Sequence, residues 1–208
     1  MKSKFLALAL MAMAFFAAGT AQAGVVLSNM GANGLTDTSG PTNTDILANN
    51  WLASGFTTGA DALKLDWVSG VGFNNDTGTK TVSIYSDNAG SPGTLIATST
   101  GAPLGLKNVY QFNFSGVNLA AATSYWVLPE VGISWYMESG NAAPTAQNAS
   151  GFSYLGIKTS TNSGSSWNTS PFNYTFAVSA SPAAVPEPAI TSLVCVGGIA
   201  FMRRRMKK

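Results

Sequence analysis

From Gly24 onward, apolar runs of four to eight residues alternate with clusters of Gly, Ser, Asn, Thr and Pro, and no run continues with a helical period. The runs predict strands at Val25 to Leu27, Trp51 to Phe56, Leu63 to Trp67, Thr81 to Tyr85, Thr94 to Thr98, Val109 to Phe114, Ser124 to Leu128, Ile133 to Met137, Phe152 to Ile157 and Tyr174 to Val178. Several alternate with period two: Leu63, Leu65 and Trp67 are expected to share a face, as are Val82 and Ile84, and Tyr110, Phe112 and Phe114. The residues between them are mostly polar, so each strand has one side to bury and one to leave in water. This pattern predicts an all-β chain, an antiparallel β-sandwich or jelly-roll-like single domain, rather than a parallel sheet with crossover helices. Asp87 to Gly93 has the composition of a hairpin connection between the strands around Tyr85 and Leu95.

The pattern changes at both ends. Lys2 and Lys4, the apolar run Phe5 to Ala18 and the small-x-small triplet Ala21-Gln22-Ala23 form the three parts of a secretory signal. Residues 1–23 are therefore expected to be a signal helix, removed between Ala23 and Gly24, which implies a secretion translocase and signal peptidase as partners. Residues 24–181 are the expected domain, and residues 182–208 a processing tail. In that tail Val185, Pro186, Glu187 and Pro188 precede the uncharged apolar run Ala189 to Met202, and a basic cluster with Arg203, Arg204 and Arg205 follows. Fourteen helical residues rise about 21 Å, short of a hydrocarbon core of roughly 30 Å, so this is a marginal transmembrane helix with its cationic end on the cytoplasmic side. Two prolines should keep Pro186 to Pro188 extended and open to a protease. The single cysteine, Cys195, lies inside the apolar run, so a processed domain holds no thiol.

The order Pro-Glu-Pro, short apolar segment with Gly197-Gly198, and Arg-rich terminus resembles the PEP-CTERM sorting signal. That resemblance implies exosortase, a membrane protease-transferase of exopolysaccharide-making Gram-negative bacteria, as the partner that removes the tail. It also implies transient anchoring in the inner membrane, then delivery to the cell surface or matrix. The central portion is similar to the choice-of-anchor R domain, through Thr81 to Ala97, Val117 to Leu128 with Tyr125-Trp126, and the later Trp135 and Trp167. This second resemblance implies a β-rich surface domain without catalytic residues.

Charge and composition narrow the chemistry. The chain carries net +2, yet between Gly24 and Val185 there are four lysines and no arginine against eight carboxylates, leaving the domain at −4. It lacks the basic stripe that phosphate backbones require, so no nucleic acid partner is expected. There is no histidine, which removes Ser-His-Asp and Cys-His systems and the usual zinc sets. Carboxylate chemistry remains: Glu130 and Glu138, at successive strand ends, are the candidate pair for a glycosidase. Asn74 to Gly78 and Asp87-Asn88 each offer too few carboxylates for a tight calcium site and read as turns. Trp135 and Tyr136 are neighbours on a strand, so one of them should face away from the core; with Trp167 in a polar loop they are the candidate ligand-stacking rings. The expectation is a non-enzymatic exported protein without cofactor or metal, with exopolysaccharide as a candidate partner. A carbohydrate-binding domain is the alternative, and a glycosidase the second alternative.

Overall fold

The computed structural model describes residues 24–45, 49–73, 79–101, 103–104, 109–129, 134–148 and 150–183. Among them there is no helix. Fifteen strands are formed: β1 (Gly24–Ser28), β2 (Ser39–Asp45), β3 (Trp51–Thr57), β4 (Leu63–Phe73), β5 (Lys80–Asp87), β6 (Pro92–Gly101), β7 (Pro103–Leu104), β8 (Val109–Asn113), β9 (Asn118–Leu119), β10 (Ser124–Pro129), β11 (Ser134–Glu138), β12 (Thr145–Ala146), β13 (Ser153–Ser160), β14 (Asn168–Ser170) and β15 (Ala177–Pro182). All pair antiparallel, in two sheets. The larger runs β12-β1-β15-β4-β11-β2, with β8 and β9 also on β4 and β7 on β8; the smaller runs β14-β13-β3-β10-β5-β6.

The two sheets bury their apolar faces against each other. Leu65, Val68, Tyr110, Phe112, Trp135, Phe176 and Val178 of the larger sheet and its connections meet Leu52, Phe56, Val82, Ile84, Tyr125, Val127 and Ile157 of the smaller. The core is aromatic at its centre: Phe56 stacks on Tyr125 and on Phe152, with ring centroids 5.7 and 5.8 Å apart. Such rings bury about 150–250 Å² each, which lets two sheets of short strands hold without a disulfide.

All ten predicted strands have a counterpart, with two displaced details. Leu63 and Leu65 face the core, but Trp67 does not join them. Leu65 is opposite Ala180 and Trp67 opposite Ser179, so Asp66 is an extra residue, a β-bulge, and the side chains beyond it exchange faces. Trp67 consequently packs outside, with Met30, Val71 and Ala177. Tyr174 falls short of β15 and instead bridges to Met137. The predicted hairpin is present: Asn88 and Ser91 exchange backbone hydrogen bonds of 2.8 and 3.2 Å around Ala89 and Gly90, which both have positive φ, as a type I′ hairpin turn requires.

The first and last strands are neighbours. β15 inserts between β1 and β4, with Gly24 opposite Ala180 on one side and Ala177 opposite Ser69 on the other. The outer face of the larger sheet is roofed by the segment after β1. Met30 is fully buried there, and Ser69 donates its hydroxyl to the Gly34 carbonyl.

Candidate functional site

Alternation along β11 sends Trp135 and Tyr136 to opposite faces. Trp135 enters the core at 2% exposure, stacked on Phe112 at 6.4 Å. It rests on Gly70, where a Cβ would overlap its ring, and donates Nε1–H to the Thr175 carbonyl at 2.8 Å. That glycine is the local reason the large ring fits between the sheets. With its N–H used and its faces covered, Trp135 offers nothing to a ligand. Tyr136 faces outward and is half-buried against Met30, Val71 and Ala177.

Thr175 ties this region together, because β11 wedges between β4 and the chain entering β15. Its Oγ1 accepts the Val71 N–H at 2.8 Å and its own N–H donates to the Tyr136 carbonyl at 3.0 Å, so both of these amides are paired at the fork.

Trp167 belongs to a second aromatic cluster, on the outer face of the smaller sheet. Ala53, Trp126 and Leu128 form its buried floor, and Trp51, Tyr85 and Trp167 pack half-buried around them. Gly55 makes the floor possible. A Cβ there would lie 2.6 Å from Trp126 Cζ3, so only a bare backbone lets the indole lie across β3. Trp126 is held from its other end by Nε1–H donating to Asp87 Oδ1 at 2.7 Å. Trp51 and Trp167 meet with centroids 6.4 Å apart and planes at 53°, so they present no common plane for a sugar ring. Composition pointed to Trp167 because it sits in a polar loop. Trp51 and Tyr85 became part of this face only through strand pairing.

Glu138 and Asp87 have structural partners. Glu138 accepts the N–H of Gly140 at 2.8 Å and of Ala142 at 2.6 Å, closing the turn after β11. Asp87 gives its second oxygen to the Gly90 N–H at 3.1 Å, inside the hairpin. Glu130, the other half of the candidate glycosidase pair, and the loop Asn74 to Gly78 lie outside the described residues, as do residues 1–23 with Ala21 and Ala23, and 184–208 with Val185 to Pro188 and Arg203 to Arg205. No group of three or more metal-ligating side chains is present among the described residues.

One core hydroxyl has no partner. Tyr154 packs near Phe176, with its phenol oxygen buried and unpaired, and burial together with the neighbouring Tyr174 pushes its ionisation well above the ordinary range. In the unfolded chain the same phenol ionises near 10. The stability contributed by keeping it neutral is thus complete below about pH 10 and is lost as the pH rises towards the folded value. Tyr154→Phe is expected to remove part of the alkaline loss and, by deleting an unpaired buried hydroxyl, to stabilise by about 1 kcal/mol at neutral pH. Urea titrations between pH 7 and 11 read both effects; an unchanged alkaline slope would remove Tyr154 as its source.

Comparison with protein-family models and with curated protein sequences finds no match to this chain.

Proposed function

We propose that this chain is a non-enzymatic exported protein: a β-sandwich delivered to the cell surface or an extracellular matrix, and released from a C-terminal membrane tail by an exosortase-type protease. The observation that carries the reading is the placement of the described strands between the two signals. β1 opens at Gly24, the residue after the predicted signal cleavage site, and β15 closes at Pro182, three residues before Val185. Every described strand lies between the two processing signals, so removing both ends costs none of them. The structural use of Glu138 and Asp87 supports a display role over catalysis.

A carbohydrate-binding role, the alternative, moves from Trp135 to the half-buried Trp51, Tyr85 and Trp167. The tilt between Trp51 and Trp167 and the burial beneath them favour packing, which keeps this reading second. Exopolysaccharide as a matrix neighbour remains part of the proposal, without a defined stacking site.

Intact mass of the protein recovered from the surface or medium tests the processing. The expected species begins at Gly24 and lacks Arg203 to Lys208. Recovery of mature material with that basic end attached would overturn tail removal, and a mass including Met1 to Ala23 would overturn signal cleavage.

A further inference from the structure

The opening residues of β1 are held from both sides. β15 runs along one flank, with Gly24 opposite Ala180 and Val25 opposite Ser179, and β12 along the other, with Leu27 opposite Ala146. Each of the first three carbonyls is taken. Ser179 Oγ donates to the Gly24 carbonyl at 3.0 Å and Asn148 Nδ2 to that of Val25 at 3.0 Å, while the Val26 carbonyl accepts both the Gln147 N–H at 2.9 Å and Ser150 Oγ at 2.6 Å. The segment supplying Gln147, Asn148 and Ser150 is itself fixed. Asn148 sits in the left-handed region at φ 53°, the Ser150 N–H returns to the Gln147 carbonyl at 3.0 Å, and Gly59 packs so closely that a Cβ there would overlap the Ser150 carbonyl oxygen. Val25 and Val26 are buried within this clasp.

The bond between Ala23 and Gly24, where the signal is expected to be cut, lies immediately before the clasp. A protease takes its substrate as an extended strand whose backbone groups beside the scissile bond are free to pair with the enzyme. Once β1 is taken up, the Gly24 side has no free edge to give. Reach is short as well: Gly19 to Ala23 are the five residues between the expected apolar run and β1, and fully extended they span at most about 16–18 Å. A closed domain would therefore stand against the membrane in which the peptidase works. The partner that closes β1 arrives late. Ser179 lies 155 residues after Gly24, a stretch that takes roughly 8–30 s to make at about 5–20 residues per second. A β-sandwich closes in milliseconds to seconds once its strands are present. Arrival of β15, rather than folding, sets how long Gly24 stays open.

We propose that β15 ends the period in which the signal can be removed. Water cleaves the Ala23–Gly24 bond, freeing the Ala23 carboxylate and the Gly24 amine, only before β15 and the Asn148 segment take up β1; a chain that closes first keeps its leader. The proposal rests on the reading of residues 1–23 as a signal and adds an order to it. That order is a property of the topology. Had β1 paired with an early strand such as β3, the site would be shut soon after it emerged, whereas pairing with β15 leaves it open while the rest of the domain is delivered.

Rates of signal removal from three chains in detergent micelles, with a bacterial signal peptidase and intact mass as the readout, test this. The first is the full chain, Met1 to Lys208, refolded until its domain resists an unrelated protease. The second stops at Phe176 and so lacks β15. The third is the full chain, refolded in the same way, with eight Gly and Ser residues inserted between Ala23 and Gly24, a spacer of about 26–29 Å when extended. The first is expected to be cut after Ala23 at least tenfold more slowly than either of the others. A full chain cut as fast as the Phe176 chain would overturn the proposal, because β15 would then close nothing. A spacer chain as slow as the full chain would also overturn it, by placing the obstacle elsewhere than at the clasp. If none of the three were cut after Ala23, the signal reading itself would fail and the proposed order with it.

Discussion

A chain ending at Phe176, without β15, is expected to form no folded domain. β15 is the last of the described strands, yet it lies inside the larger sheet, hydrogen-bonded to β1 along one edge and to β4 along the other. Its loss would strip both ladders and leave β1 with only the two-residue β12 beside it. Ala177, Val178, Ser179 and Ala180 are all buried, and the Val178 side chain alone is worth about 1.5–3 kcal/mol of burial. Each lost ladder bond adds about 0.5–1.5 kcal/mol. Together these are of the same size as the roughly 5–15 kcal/mol that holds a domain folded. Near-ultraviolet circular dichroism and limited proteolysis read the outcome. A truncated chain that still unfolds cooperatively would show that the sheet closes without its final strand.

Gly70→Ala is expected to cost about 3 kcal/mol or more, lowering the melting temperature by roughly 6–12 °C. The added methyl group would occupy the space of Trp135 Cζ2 and Cε2 and lie 2.8 Å from the Thr175 carbonyl oxygen. The indole is closed in by Phe112 on the core side and tied by Nε1 to that same carbonyl. Moving the ring would break a buried hydrogen bond as well as a stack. Thermal denaturation checks the value, and Gly90→Ala provides the comparison, because a Cβ at Gly90 meets nothing within 4 Å and only its backbone conformation resists. If both variants lost the same small amount, the fit of Trp135 against Gly70 would not be what limits this site.

The strands visible in the sequence are those that bury a side. Tyr110, Phe112 and Phe114 do face the core together, as their spacing implies. β2 escaped because Ser39 to Asp45 contains no large apolar residue; it is held by its backbone pairing with β11, and Pro41 fits an outer position in the sheet. β7, β9, β12 and β14 are two or three residues long, too short to carry a period. The face of Trp67 was unreadable for a different reason. Nothing in Leu-Asp-Trp distinguishes a bulged Asp66 from an ordinary strand residue; the extra residue is defined only by the pairing with Ser179 and Ala180.

The ring assignments fail and succeed on the same physics. Alternation correctly separated Trp135 from Tyr136, but two aromatic neighbours have equal claims on a core. Gly70, far away in sequence, decides between them by leaving room for the larger ring. Likewise Gly55 turns Trp126 from an outward-facing residue into a buried one. Bare backbone opposite an indole is a long-range coincidence, invisible to any local window.

The pairing of the first strand with the last also sets how the domain would respond to load. Gly24 and Ala180 sit opposite each other in adjacent antiparallel strands, so both lie at one corner of the described sheet. Tension applied between those two points would fall on the β1–β15 ladder one hydrogen bond at a time, opening it like a zipper. Held by a single end, the same domain spreads its load over the ladders on both sides of β15 instead of concentrating it on that one seam.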